Sequence, residues 1–110
     1  MLSLTRQIYM LIIIFRTRKL ERCFSQSKQA IKEFGDTVGR KYIQRINIIK
    51  STKNIVDLKE LPSLRFHALK GDRLGQYAIN LTGFYRLIFT LEGETLNVVK
   101  IEEVSKHYDD

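Results

Sequence analysis

Two histidines, a lysine and an arginine set in apolar surroundings are the residues of this chain best suited to chemistry. In Arg65-Phe66-His67-Ala68-Leu69-Lys70, the alternation of a strand puts Arg65 and His67 on one face and Phe66 and Ala68 on the other. Lys70 ends that segment and is followed by a turn carrying Asp72 and Arg73. In Tyr85-Arg86-Leu87-Ile88-Phe89, Arg86 interrupts an apolar run, and an arginine there is costly to bury without a partner or ligand. Near the end of the chain, His107 and Tyr108 add a second imidazole and a phenol. Together these groups suit metal-independent cleavage of RNA. The ribose 2′-hydroxyl must lose a proton, the phosphorane must be neutralised, and the 5′-oxygen must gain a proton. Imidazole exchanges protons near neutral pH, while lysine and arginine stabilise phosphate charge. Bases could stack on Tyr108, Tyr85 or Phe84. Each residue also has a plainer reading: His67 as an ordinary surface or core histidine, Arg86 as a carboxylate's partner, Lys70 as a turn residue.

Other chemistries lack their residues. The histidines lie forty positions apart and the one cysteine, Cys23, is remote in sequence, so no zinc-like spacing and no internal disulfide exist. Cys23 reads as a small core filler in a chain suited to a reducing compartment. No nucleotide-binding glycine loop or nucleophile elbow is present, and Gly71-Asp72-Arg73-Leu74-Gly75 is too short for a phosphate loop. No metal and no cofactor is expected.

The elements that must position these groups follow from periodicity. The run Ile8 to Phe15 is too short to span a bilayer, and it lacks a signal peptide's cleavage site before Arg16-Thr17-Arg18-Lys19. It predicts a buried strand over about 10–15, a cytoplasmic protein and no membrane partner. Met10 is read as the natural start, with residues 1–9 a disordered extension and 10–110 a single domain. Residues 17–50 read as a helical pair. Ile31, Phe34, Val38, Tyr42, Ile46 and Ile49 recur at spacings of three and four, forming one apolar stripe. Lys32, Arg40, Lys41 and Arg45 fall off it, and Asp36 is a candidate N-cap for the second helix. Residues 54–64 form a linker with the only proline, Pro62. Strands are then expected at 64–70, 76–82, 84–91 and 95–104, separated by glycine-containing turns. The class is α+β, in the order β-α-α-β-β-β-β, with the helical pair packed on one mainly antiparallel sheet.

Charge is distributed unevenly. The chain is +7 overall, but residues 1–53 hold 12 basic and 3 acidic residues, while residues 54–110 hold 7 and 9. A basic half of this density suits phosphate backbones or an acidic protein partner, or is simply a solvated helical surface. Lys41 and Arg45 on the helices, with Arg65, Arg73 and Tyr85 on the strands, are the candidate RNA-binding residues.

From Leu61-Pro62-Ser63-Leu64-Arg65-Phe66-His67-Ala68-Leu69-Lys70-Gly71-Asp72-Arg73, through Gln76-Tyr77-Ala78-Ile79 and Tyr85-Arg86-Leu87-Ile88-Phe89, to the terminal His-Tyr, the chain resembles HigB-type toxins of the RelE/ParE superfamily. That family includes plasmid-maintenance killer proteins. The resemblance runs over nearly the whole chain from Met10, and the RelE-like fold it implies agrees with the order above. It implies the toxin of a type II toxin–antitoxin pair, with a small helix-turn-helix, HigA-like antitoxin as partner and messenger RNA on the ribosome as substrate. By the same resemblance His67 and Lys70 are functional residues, Arg86 contacts the scissile phosphate, and His107 or Tyr108 handles a proton. Family members often end Asp-Tyr-His, where this chain has Lys106-His107-Tyr108, and often carry Asn-Trp-Arg, where it has Phe84-Tyr85-Arg86. Relatives of the ParE type bind DNA gyrase without nuclease chemistry, and a toxin fold can also survive as an inactive antitoxin-binding regulator.

Overall fold

The computed structural model describes residues 10–106. Strand β1 (Ile12–Phe15) leads into α1 (Arg18–Ser25), α2 (Ser27–Phe34) and α3 (Asp36–Lys50), followed by a short α4 (Ile55–Lys59). Four strands complete the chain: β2 (His67–Ala68), β3 (Tyr77–Asn80), β4 (Tyr85–Glu92) and β5 (Val98–Lys106). The sheet order is β1-β5-β4-β3-β2, parallel between β1 and β5 and antiparallel elsewhere. The α+β class and the strand succession agree with the sequence reading. The expectations for residues 1–9 and for His107 and Tyr108 lie outside the described residues.

The helical region differs in detail. It holds three helices rather than a pair, because residues 26 and 35 both break it. Thr17 caps α1 by accepting from the Leu20 amide at 3.1 Å. Asp36, expected as an N-cap, is instead the first residue of α3, where it pairs with Arg40 at 2.9 Å. Gly35 takes the capping position with φ +89°, a conformation that glycine enters without steric cost. The stripe nevertheless crosses this break, and Val38, Tyr42, Ile46 and Ile49 are all buried. Residues 54–64, read as a linker, contain α4, capped by Asn54 Oδ1 accepting from Asp57 N at 2.8 Å, and a 3₁₀ turn at Pro62–Leu64. Leu58 and Leu64 from these two turns are fully buried, so apolar residues too few to show a period still anchor the segment.

Cross-strand register separates the two faces of the sheet. Ile79, Leu87, Phe89, Val99 and Ile101 join the helices in the main core. Ala78 and Ile88 face the other way and are covered by Leu69 in a small second cluster. Between Ile88/Glu103 and Phe89/Ile101 the register slips, leaving Glu102 as an extra residue on β5. Glu102 is held there by Thr90 Oγ1, which donates at 2.9 Å, and by Arg16 Nε, which donates to its carbonyl at 2.9 Å. Cys23 is buried, its Sγ 3.7 Å from the Gln29 carbonyl. Burial, and then Glu33, push its thiol pKa up, as suits a core filler rather than a nucleophile.

Helices α2 and α3 approach so closely that a β-carbon at Gly39 would lie 2.7 Å from the Ala30 carbonyl oxygen. That neighbour is helix backbone and cannot move aside. Gly39→Ala is therefore expected to destabilise the fold by about 1–3 kcal/mol, although alanine is intrinsically better in a helix by about 1 kcal/mol. Urea unfolding checks the sign, and a gain in stability would show that the helices can part.

Candidate active site

The open face of the sheet carries a groove of about 870 Å³ lined by Arg65, Phe66, His67, Ala68, Leu69, Lys70, Arg73, Ile79, Asn80, Gly83 and Arg86. Four of these residues are cations and none is a carboxylate. The positive groove is thus built by the half of the chain whose net charge is negative. The excess on residues 1–53 is partly tied up in ion pairs, including Arg16–Glu102, Lys19–Glu33 and Arg40–Asp36.

His67 stands on the edge strand β2, paired with Ala78 of β3. The expected strand over 64–70 contracts to two residues because its ends turn away. Arg65 adopts φ +52° and ψ +47° where the chain leaves the 3₁₀ turn, and Gly71–Arg73 form a second such turn. A left-handed conformation at a non-glycine residue costs about 1–2 kcal/mol. Here it accompanies a specific contact: the Arg65 carbonyl lies 2.8 Å from His67 Nδ1. A carbonyl can only accept, so in the neutral ring this contact places the hydrogen on Nδ1 and leaves the lone pair on Nε2. The His67 ring is exposed, as proton exchange with a bound substrate requires.

Arg86 enters from the central strand β4. Its register partners are Asn80 on β3 and Ser105 on β5, so its side chain belongs to the open face. It is half-buried and its Nε is removed from solvent, which fixes the guanidinium more firmly than a surface arginine. Lys70 is exposed at the groove margin. Arg73 lines the groove too, but its guanidinium donates to Gln76 Oε1 at 2.9 Å and to Glu103 Oε2 at 3.0 Å. These bonds tie the 69–76 loop down over Ile88 and leave Arg73 less free for a ligand than Arg65.

Other candidates fall elsewhere. Tyr85, adjacent to Arg86 on β4, points to the opposite face by strand alternation and packs at the margin of the main core. Lys41 lies on α3 outside the groove lining. Arg45, also on α3, donates from Nε to the Asn80 carbonyl at 2.8 Å, and burial lowers its pKa. The reason is legible in the ladder. Leu81 N donates to Tyr85 O, so Asn80 directs its carbonyl away from β4, toward an edge that two-residue β2 does not reach. Arg45 satisfies that carbonyl from the helical layer. The site residue missed in the sequence was Asn80. Its only signal was its place beside Arg86, which needs the strand register to be seen.

A mainly antiparallel sheet with helices packed on one face is also the fold of several small bacterial toxins. The YoeB/ParE toxin from Agrobacterium tumefaciens shares this fold with a TM-score of 0.55 at 15% identity, over 89% of this chain and 100% of that one. YafQ from E. coli strain BL21(DE3) does so at 0.54 and 14% identity, over 86% and 90%. The YoeB dimer from Staphylococcus aureus does so at 0.52 and 19% identity, over 89% and 98%. At these identities the likeness is one of fold. No curated protein sequence matches the chain. Residues 13–103, however, match the family described as RelE-like toxin of type II toxin–antitoxin system HigB, and the chain belongs to that family.

Proposed function

We propose that this toxin is a metal-independent endoribonuclease that cuts messenger RNA on the ribosome and so halts translation. The observation that carries this reading is the convergence of His67, Lys70 and Arg86 on one cationic groove whose lining holds no carboxylate. In the proposed reaction the ribose 2′-oxygen attacks phosphorus, the bond from phosphorus to the 5′-oxygen breaks, and the 5′-oxygen takes up a proton. His67, with Nε2 unprotonated, accepts a proton or returns it. Arg86 and Lys70 stabilise the negative charge that develops on the phosphorane. His107 and Tyr108 are proposed to carry the complementary proton transfer, and Arg65 to hold a flanking phosphate. With few groups to orient free RNA, the site relies on the ribosome to hold the message in place, an entropic advantage.

The proposed partner is a helix-turn-helix antitoxin that holds the toxin inactive, and the proposed compartment is the cytoplasm. Among the described residues no helix is long and apolar enough to cross a membrane. Regulated expression of the chain alone in bacteria tests the reading. Growth should stop within a generation and cleaved transcripts should accumulate, while co-expressed antitoxin restores growth. Free growth, or gyrase-dependent DNA breaks in place of cut transcripts, would overturn it.

A further inference from the structure

Phe84 is 67% exposed, although it stands in a turn held by several hydrogen bonds. Thr82 Oγ1 accepts from the amides of both Phe84 and Tyr85 at 3.2 Å, while Leu81 N and Thr82 N donate to Tyr85 O at 2.9 and 3.1 Å. Single exposed apolar residues are ordinary; the position of this one is not. Gly83 before it and Arg86 after it both line the cationic groove. Phe84 itself lies in the bend at 81–84 that leads into β4, between these two groove residues in sequence. A side chain at Gly83 would meet nothing within 4 Å, so the space beside the turn is open. The aromatic contacts among the described residues join Phe15, Phe24, Phe34, Tyr42, Phe66, Tyr77 and Phe89, and leave the Phe84 ring unstacked.

We propose that Phe84 is a stacking platform for the base of single-stranded RNA next to the phosphate held at Arg86. This rests on the RNA-cleaving reading of the groove and adds a basis for substrate choice. A benzyl ring has no donor or acceptor to read a base edge. It would select by the strength of stacking and favour a purine over a pyrimidine at that nucleotide. Tyr85, the neighbouring aromatic, is turned to the core margin and is not the stacking group. The bonds that Thr82 Oγ1 accepts from the Phe84 and Tyr85 amides fix the turn's backbone before RNA arrives, so less ordering is left to the binding step.

The test compares wild type, Phe84→Leu, Phe84→Tyr and Arg86→Ala on ribosome-bound messages that differ only by a purine or pyrimidine beside the cut. Cleavage is followed as a second-order rate, with melting temperature and antitoxin binding measured alongside. Phe84→Leu should lower the rate on the purine message by about 5- to 150-fold, the range expected from the loss of one stacked base. The loss on the pyrimidine message should be smaller, so the purine preference flattens, and Phe84→Tyr should restore both. Equal losses on the two messages would overturn the proposal, since a general contact would not discriminate. So would an unchanged rate, or an effect confined to antitoxin binding, which would make Phe84 a protein contact. If wild type cuts, Arg86→Ala does not, and Phe84→Leu matches wild type, only the Phe84 assignment falls. If wild type cuts neither message, the ribonuclease reading falls and takes this one with it.

Discussion

Replacing Arg86 by alanine is expected to slow cleavage of ribosome-bound messenger by about 10²–10³-fold, the cost of losing one preorganised donor to a developing anion. The size follows from position. Arg86 sits on the central strand between β3 and β5, half-buried, so its guanidinium is oriented before substrate binds. Arg86→Lys retains the charge but loses the planar fork, and is expected to be nearly as inactive. His67, on the exposed edge strand, is proposed as acid or base, a role for which about 10²–10⁴ is typical. His107 and Tyr108, if they share the proton transfers, would soften the loss in any single variant. Among the groove's other cations, Arg73 is bonded to Glu103 and Gln76, Lys70 is exposed at the margin, and Arg65 projects from a turn rather than the central strand, so none stands in the position of Arg86. The check is single-turnover cleavage, with folding verified by melting and by antitoxin binding.

The largest effect on stability is expected from Tyr42→Ala. Tyr42 is fully buried, packs its ring 5.0 Å from Phe34, and donates from its hydroxyl to the Leu20 carbonyl at 2.7 Å. One residue of α3 therefore ties both α1 and α2. Truncating a buried aromatic costs about 3–5 kcal/mol, a large share of the roughly 5–15 kcal/mol that holds a domain of this kind together. Burial holds the phenol well above its ordinary pKa, so it stays protonated and able to donate at any working pH. Tyr42→Phe isolates that hydroxyl: it leaves the ring in place and the Leu20 carbonyl unsatisfied, at about 1–3 kcal/mol. Urea unfolding of the two variants separates ring from hydroxyl. A Tyr42→Ala protein as stable as wild type would mean the helical layer closes without this residue.

Much of the architecture was legible because long periodic segments report their own burial. The stripe from Ile31 to Ile49 and the alternation in β3 and β4 fixed the helical layer and most of the sheet. What escaped were features decided by few residues. Two buried leucines, 58 and 64, make an ordered segment of a stretch that reads as linker. The positive φ at Gly35 shifts a cap by one residue, and that at Arg65 cuts a seven-residue strand to two. At the site, residue types pointed to His67, Lys70 and Arg86, and these share the groove. Lys41 and Arg45 belong to the basic half of the chain but lie outside the groove lining. The commitment of Arg45 to the Asn80 carbonyl depends on which way one peptide faces in a ladder. Tyr85 illustrates the sharpest limit: one step along a strand separates a groove residue from a core one.

The chemistry of the cut ends tests the central claim most directly. Purified toxin is added to ribosomes carrying a defined message, and both ends of each new fragment are identified. Attack by the 2′-oxygen, driven by His67 and Arg86, predicts a 2′,3′-cyclic phosphate on the upstream fragment and a 5′-hydroxyl on the downstream one, with both products lost in Arg86→Ala. Intact message, or fragments bearing a 5′-phosphate and a free 3′-hydroxyl, would contradict the account.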